Sequence, residues 1–417
     1  MIETGTDDRC ASPGLISVEQ AIEKMLSQAT AVEQTETVDI LEALHRVLAE
    51  DLHSAIDVPG YDNSAMDGYA VRSEDCQASG ISLPVSQRIP AGQVGVALEP
   101  GTAARIFTGA PVPDGADAVV MQEMCQQQGD GEQDTVVTVN TTVRAGSNVR
   151  RAGEDIAAGS VVLHAGKRLR AQEMGLLASV GLAEFKVKRR LKVATFFTGD
   201  EIVAPGQPLA AGQIYNSNRY TLRGLLQSMN CEVVDLGIVP DTLDATLDVL
   251  KRAADDADLV ITSGGVSVGE EDYVRIALEQ LGELSMWRIA MKPGKPVAFG
   301  KVANALFMGL PGNPVSVFVT FLLFARPLIM KLQGIKDYLA KPVSVVADFD
   351  WGTVKRQEYL RVRLIQQDGQ QLAQLFPHQG SGVLSSASWA DGLVEVMIGK
   401  EIKRGDTVNY LSFEGLL

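Results

Sequence analysis

From residue 191 to residue 332 short apolar runs alternate with amphipathic stretches, and this alternation limits what the chain can fold into more than any other feature. The runs at 192–198, 231–239 and 259–261 have the length and β-branched content of buried strands. Each is followed by apolar residues at helical spacing: Leu222, Leu225, Leu226 and Met229; then Leu243, Leu247 and Leu250 behind an expected N-cap at Asp241; then Val274, Leu278 and Leu281. Further strands are expected near 284–291, 297–299 and 305–310, before a long apolar helix over 314–332. Such a chain builds a mostly parallel sheet with right-handed crossovers. Its loops gather at the carboxyl edge of the strands, where open α/β sheets bind ligands.

Five of these loops carry chemistry. They are Thr198-Gly-Asp-Glu201, Pro240-Asp241, Ser263-Gly-Gly265 running on to Asp272, Lys292-Pro-Gly-Lys-Pro296 and Pro311-Gly-Asn-Pro314. Any one of them reads equally well as a turn. Five on one edge, alternating acidic, glycine-rich and basic, read as a site for a phosphorylated ligand with a divalent cation. Asp200, Glu201, Asp241 and Asp272 would offer hard oxygen ligands, Lys292 and Lys295 would meet anionic oxygens, and the glycine loop would aim N–H groups at a phosphate. The loop lacks the Gly-Lys-Ser/Thr ending of a Walker A motif and the spacing of a dinucleotide motif, so its phosphate chemistry is of another kind.

The flanks differ in period. Ser17 with Gln20 and Asp39 with Glu42 both have capping-box spacing, so two helices are expected first. Residues 56–71 have no regular period and concentrate Asp57, Asp62, Asn63, Ser64 and Asp67 among prolines and glycines. Short strands expected at 83–89, 102–108, 118–123 and 135–140 make a small inserted β domain, with Thr108 on a turn. Residues 148–155 put Arg150 and Arg151 beside Glu154 and Asp155, offering guanidinium forks for oxyanions. Period two returns at 343–349, 358–365, 372–376, 393–398 and 408–413, the strands of a small barrel or sandwich, with 378–385 read as a loop. The whole is therefore an α/β multidomain protein. Its expected parts are an N-terminal α+β domain (17–56 and 145–186), an inserted β domain (57–144), the α/β domain (187–336) and a C-terminal β-barrel domain (337–417).

Composition removes some functions. With a formal net charge of -15, from 52 acidic and 37 basic residues, neither nucleic acid nor an anionic membrane surface is an expected partner. The four cysteines form no Cys-x-x-Cys pair and no histidine spacing suits zinc, so a reducing, cytoplasmic setting is expected. The apolar run at 315–325 is cut by Arg326-Pro327 and is expected to be too short to cross a bilayer.

The motifs also carry a resemblance. Asp62-Asn-Ser-Ala-Met-Asp-Gly-Tyr-Ala70, Thr108-Gly-Ala-Pro111, Arg150-Arg-Ala-Gly-Glu-Asp155, Thr198-Gly-Asp-Glu201, Ser263-Gly-Gly-Val-Ser-Val-Gly269, Lys292-Pro-Gly-Lys-Pro296 and Leu310-Pro-Gly-Asn-Pro314 stand in this order. Together, from about Ser17 onward, they resemble the molybdopterin molybdenumtransferase family, the MoeA-type molybdenum insertases related to the E domain of gephyrin. The resemblance implies a four-domain subunit in a homodimer, with the site shared between the α/β domain of one subunit and the N-terminal region of the other. It also implies the reaction. Adenylylated molybdopterin and molybdate are the substrates, and with Mg²⁺ molybdenum is inserted and AMP released. Catalytic roles would fall to Asp62, Thr108, Asp155, Glu201, Asp241 and Asp272, and the metal to Asp200, Glu201, Asp241 and Asp272. Substrate contacts would come from Arg150, Arg151, Ser263, Gly264, Gly265, Ser267, Lys292, Lys295, Pro311 and Asn313. Molybdopterin adenylyltransferase and molybdoenzyme maturation proteins are implied partners. Ala152 stands where the family often has a basic residue, and Asn216 where Asp is frequent. The alternatives are an adenylyltransferase-like enzyme and a non-catalytic carrier or scaffold.

Overall fold

The computed structural model describes residues 15–129, 135–265 and 273–416; the expectations for Ser267, Asp272 and the first fourteen residues lie outside the described residues. A six-stranded sheet forms the centre, in the order Glu232–Val239, Lys192–Thr198, Leu259–Ser263, Ala305–Leu310, Pro296–Val302, Gly282–Arg288. The first four strands run parallel. Pro296–Val302 runs antiparallel to both of its neighbours, because only Ala303 and Asn304 separate it from Ala305–Leu310 and so short a link permits only a hairpin. By this topology Gly282–Arg288 again ends at the carboxyl edge of the parallel strands.

Both faces of the sheet are covered. Along Leu259–Ser263 the side chains alternate: Leu259 and Ile261 enter one core with helices Val18–Ser27, Ser217–Ser228 and Pro314–Thr320, while Val260 enters another with helices Leu243–Asp256 and Tyr273–Leu281. Burial on both sides explains why the strand reads as a continuous apolar run.

The apolar helix does not stop at Arg326-Pro327. Helix Pro314–Thr320 passes through a π-turn, Phe321–Ala325, into Arg326–Leu332, and the Arg326 N–H donates to the Phe321 carbonyl. Proline has no N–H and crowds the preceding turn, and the wider π-turn accommodates it without breaking the helix. The resulting span, Pro314–Leu332, has 19 residues and a mean hydropathy of 1.8, long and apolar enough to cross a membrane by length and composition, yet it is 83% buried in the core.

A second correction concerns the start of the chain. Ser17 and Gln20 do form a capping box on Val18–Ser27, but Asp39–Glu42 opens only a single 3-10 turn, Ile40–Glu42. The preceding Thr35–Asp39, rich in β-branched residues, is a strand paired with Glu184–Lys188. The Asp39 carboxylate caps Leu41 two residues on, and His45 takes a positive φ of 64° that a helix cannot hold.

The inserted region has its own six-stranded sheet with two small cores. Its strands Gly68–Val71 and Cys125–Gln128 were not expected from the sequence. In the C-terminal region Gln357–Gln367, Gln370–Leu375, Val343–Ala347, Thr407–Ser412 and Gly392–Val396 pair in a ring that closes back on Gln357–Gln367, so the barrel form is the one realised.

Candidate functional site

The carboxyl edge of the central sheet is held together by its loops. Thr198 ends its strand, and its hydroxyl donates to Asp241 Oδ1 at 2.7 Å. Asp241 is therefore not the N-cap that its position suggested. Thr242 caps the helix Leu243–Asp256 through the Ala245 N–H, which leaves the Asp241 carboxylate to face its neighbour strand. Gly199 lets the chain turn sharply, and the Glu201 carboxylate folds over it, 2.5 Å from where a Cβ would stand. Asp200 and Glu201 are exposed.

The glycine loop has a steric reason for its composition. Gly265 has φ +63°, and a Cβ there would lie 2.8 Å from Val274 Cγ2. The Gly264 N–H donates to the Leu310 carbonyl at 3.1 Å, tying this loop to Pro311-Gly-Asn-Pro314. Asn218 clamps both, donating to Ser263 Oγ at 3.2 Å and to the Gly312 carbonyl at 2.8 Å. Its own Oδ1 is buried without a partner, as is Nδ2 of Asn216, whose Oδ1 caps Arg219. Buried orphan polar atoms are rare in folded chains, and here two flank one loop cluster.

Two lysines and a helix end complete this edge. Met291–Lys292 pairs in parallel with Gln357–Glu358 of the C-terminal barrel, and the Lys292 ammonium donates to Glu358 Oε1 at 3.1 Å, whose other oxygen accepts from Trp351. Lys292 thus has a carboxylate partner of its own. Lys295 forms no ion pair among the described residues, and its carbonyl accepts from Ile289 at 2.8 Å. Pro311 is buried, while Asn313 is exposed at the N-cap of Pro314–Thr320 and makes no capping bond. The Ser381 carbonyl accepts the Val315 N–H at 2.9 Å, so the 378–385 loop docks on this helix end. Arg361, 1% exposed, fixes that loop through Gly380 and Ser386, and burial pushes its guanidinium down to about 10.

A second group lies in the N-terminal half. Asn63–Ser64 pairs with Val149–Arg150, which sets Arg151 beside Asp62. Asp62 accepts the Ala152 N–H at 2.9 Å and the Arg151 guanidinium, and these two bonds, the backbone one foremost, hold its carboxyl below the usual range. Ala152 therefore contributes its backbone N–H rather than a side chain. Arg150 and Asp155 are exposed on the same turn. Thr108 donates both its N–H and its hydroxyl to Asp67 Oδ1, at 2.8 and 2.7 Å, and the backbone bond is the main cause of a lowered Asp67 carboxyl. Arg105 lies over the Tyr69 and Phe107 rings and braces the same corner.

Among the described residues no hydrogen bond, ion pair or strand pairing joins the two groups. Nor do three His, Cys, Asp or Glu side chains gather into a metal cage among them. The donor set at the strand edge, Asp200, Glu201 and Asp241, suits a hard cation held by one or two carboxylates with water and phosphate oxygens around it. Asp67 was visible in the sequence only as part of an acidic loop, and Asn218, Glu358 and Arg361 gave no local signal, since each acts on a partner distant in the chain.

Comparison with known proteins agrees with this geometry. Family models match in chain order: "MoeA N-terminal region (domain I and II)" over residues 16–181, "Probable molybdopterin binding domain" over 194–331 and "MoeA C-terminal region (domain IV)" over 345–413. A molybdopterin molybdenumtransferase of Haemophilus influenzae is 43% identical over 408 residues, 97% of this chain and 100% of the relative. One from Nostoc sp. is 42% identical over 332 residues, covering 78% of this chain and 75% of its own. The crystal structure of a molybdopterin biosynthesis moeA protein from Pyrococcus horikoshii OT3 superposes with a TM-score of 0.81 at 30% identity, over 95% of this chain and 100% of that one.

Proposed function

We propose, because this chain belongs to the molybdopterin molybdenumtransferase family, that its two groups are the halves of one site which takes adenylylated molybdopterin and molybdate and releases AMP as molybdenum enters the dithiolene. The chain is a transferase of molybdenum cofactor biosynthesis, and molybdenum insertion into molybdopterin is its reaction. The observation that carries the finer reading is the meeting of an acidic turn, a glycine loop and two lysines on one sheet edge, with orphan polar atoms beneath them.

Each residue type has a task. Molybdate and the phosphoanhydride are both anions, so Lys295, Lys292 and the N–H group of Gly265 draw together charges that repel in water. Lys292 exchanges Glu358 for the incoming oxyanion. Each oxo group that departs as water needs two protons, which the dithiol and a nearby carboxylic acid supply. Asp62 and Asp67 are held ionised by their hydrogen bonds and are poor proton donors, so that work falls to one of Glu201 and Asp241 at the other edge. Asp62 and Thr108 then orient rather than protonate. The other of Glu201 and Asp241 would hold Mg²⁺ with the phosphate, and the ion would polarise the anhydride when bound.

Because the two groups are unconnected among the described residues of one chain, we take the site to form when the N-terminal group of one subunit faces the strand edge of its partner in a homodimer. The test is AMP release from adenylylated molybdopterin with Mg²⁺, with and without molybdate. Molybdate-dependent release that Asp241→Ala lacks supports the reading; tight binding with the adenylate left intact would replace it with a carrier.

A further inference from the structure

A cavity of about 850 Å³ lies between the 162–170 segment and the carboxyl end of the long helix with the turn after it, and it shares no residue with either group of the site. Five full cations line it, Lys167, Arg168, Arg170, Arg326 and Lys336, against one acid, Asp337. Part of this charge is neutralised. Glu173 takes Lys167 at 3.3 Å and Arg170 at 2.6 Å, and Lys341 takes Asp337 at 2.7 Å. Arg168, Arg326 and Lys336 remain with no ion pair among the described residues, although Asp337 acts on Arg326 and Asp51 on Lys336 at longer range.

The two arginines have only carbonyl partners. Arg168 donates to the Ser228 carbonyl at 2.9 Å, and Arg326 to those of Tyr338 and Gly415 at 3.0 and 3.2 Å. Carbonyls aim a guanidinium without neutralising it. Burial first, and then Arg168, push the Arg326 guanidinium down, and burial does the same to Arg168. In a chain of net charge -15, acids were available to place here, and two partly buried like charges are an expensive arrangement with no anion between them. The two walls pack closely where they meet. Gly166, at φ +84°, approaches the Gly334 carbonyl so closely that a Cβ would stand 2.7 Å away. Val162, Leu163, Met330 and Ile335 supply an apolar lining.

We propose that this cavity binds a small phosphorylated molecule with an apolar body, its phosphate among Arg168, Arg326 and Lys336 and its body against Met330 and Ile335. Guanidinium forks match phosphate oxygens, and the volume suits a small ligand. The partly buried arginines give the anion a low-dielectric seat, and the apolar lining excludes bare phosphate as the best occupant.

Calorimetric titration of the full chain tests this with phenyl phosphate, inorganic phosphate and phenol as probes, in a Lys295→Gln background that weakens anion binding at the strand edge. Phenyl phosphate should bind at least about fivefold tighter than inorganic phosphate, and phenol should not register, since both charge and apolar burial contribute. Arg168→Gln should weaken phenyl phosphate about tenfold or more, and the exposed Lys336→Gln about threefold to fivefold, for loss of a charge-assisted contact. Lys336→Gln decides the matter if Arg168→Gln fails to fold. Binding unchanged in Lys336→Gln overturns the proposal. So does a variant whose sedimentation shows subunit dissociation while phenyl phosphate binding persists, which would make the cavity an interface between copies.

Discussion

In the N-terminal group each central carboxylate already has its donors: Asp62 holds Arg151 and the Ala152 N–H, and Asp67 holds the Thr108 N–H and hydroxyl. At the strand edge Asp241 accepts from Thr198 and Lys292 pairs with Glu358, but the other groups are open. Glu201 and Asp200 are exposed, Asn218 and Asn216 each bury an unpaired polar atom, and Lys295 has no ion pair among the described residues. The N-terminal carboxylates are satisfied without a ligand, although the neighbouring Asn63 buries an unpaired Oδ1, whereas the strand edge leaves carboxylates and a lysine open as well. A clamp whose geometry is already paid for by hydrogen bonds suits orientation, whereas unsatisfied groups at a sheet edge suit binding and proton transfer, which must change partners.

The comparison breaks most plainly in the two acids that define it. Asp62→Ala and Asp241→Ala should each lower molybdate-dependent AMP release by at least about a hundredfold, the scale of lost positioning or acid–base groups. If the halves belong to different subunits, mixing the two inactive variants should restore about a quarter of wild-type activity, since half of randomly formed dimers are mixed and each has one intact site. Absence of recovery, with subunit exchange demonstrated, would confine the site to one chain.

Next in size is Asp67→Ala. It releases both donors of Thr108, and should reduce kcat about tenfold with KM little changed, as expected when an orienting contact is lost. An equal effect on KM alone would make Thr108 a ground-state binding group.

The pH dependence is smaller. Asp62 has a folded pKa below its unfolded value, so its contribution to stability is present above about pH 4 and is lost as pH falls through the folded value. Arg151→Gln should therefore lower the melting temperature slightly at pH 7, by less than about 1 kcal/mol of stability for a half-exposed pair, and the difference should vanish on acidification. A difference that persists to pH 2 would assign Arg151 a packing role.

The smallest change sharpens the ligand-waiting side. Glu358→Gln removes the carboxylate that competes for Lys292, and should tighten molybdate binding about twofold to fourfold by calorimetry, the worth of a modest ion pair between a half-exposed lysine and a buried carboxylate. Weaker binding would show that Glu358 holds Lys292 in its working position.

Much of the strand edge could be read in the sequence because sheet topology does the assembly. Once 259–263 and its neighbours are strands, Thr198, Asp241, Ser263 and Pro311 must emerge at one edge, whatever the side chains do. The N-cap assigned to Asp241 failed by one residue, because Asp and Thr both cap helices and only the tertiary bond from Thr198 distinguishes them. The second N-terminal helix failed for a similar reason: capping-box spacing is a local signal, and the 184–188 strand that recruits Thr35–Asp39 is some 145 residues away. Glu358 beside Lys292, and Arg361 beneath the 378–385 loop, likewise depend on how the barrel docks on the central domain.

That long-range pairing bears on how the protein is made. Asp39 leaves the ribosome long before its partner Glu184, a wait of about 7–30 s at ordinary rates of synthesis. In the interval the inserted sheet, whose strands and cores lie wholly between the two, can complete itself. The waiting strand carries Glu36 and Asp39 and is largely exposed even when paired. Its charges make it a poor template for wrong partners, so the nascent chain can hold this edge open without inviting aggregation.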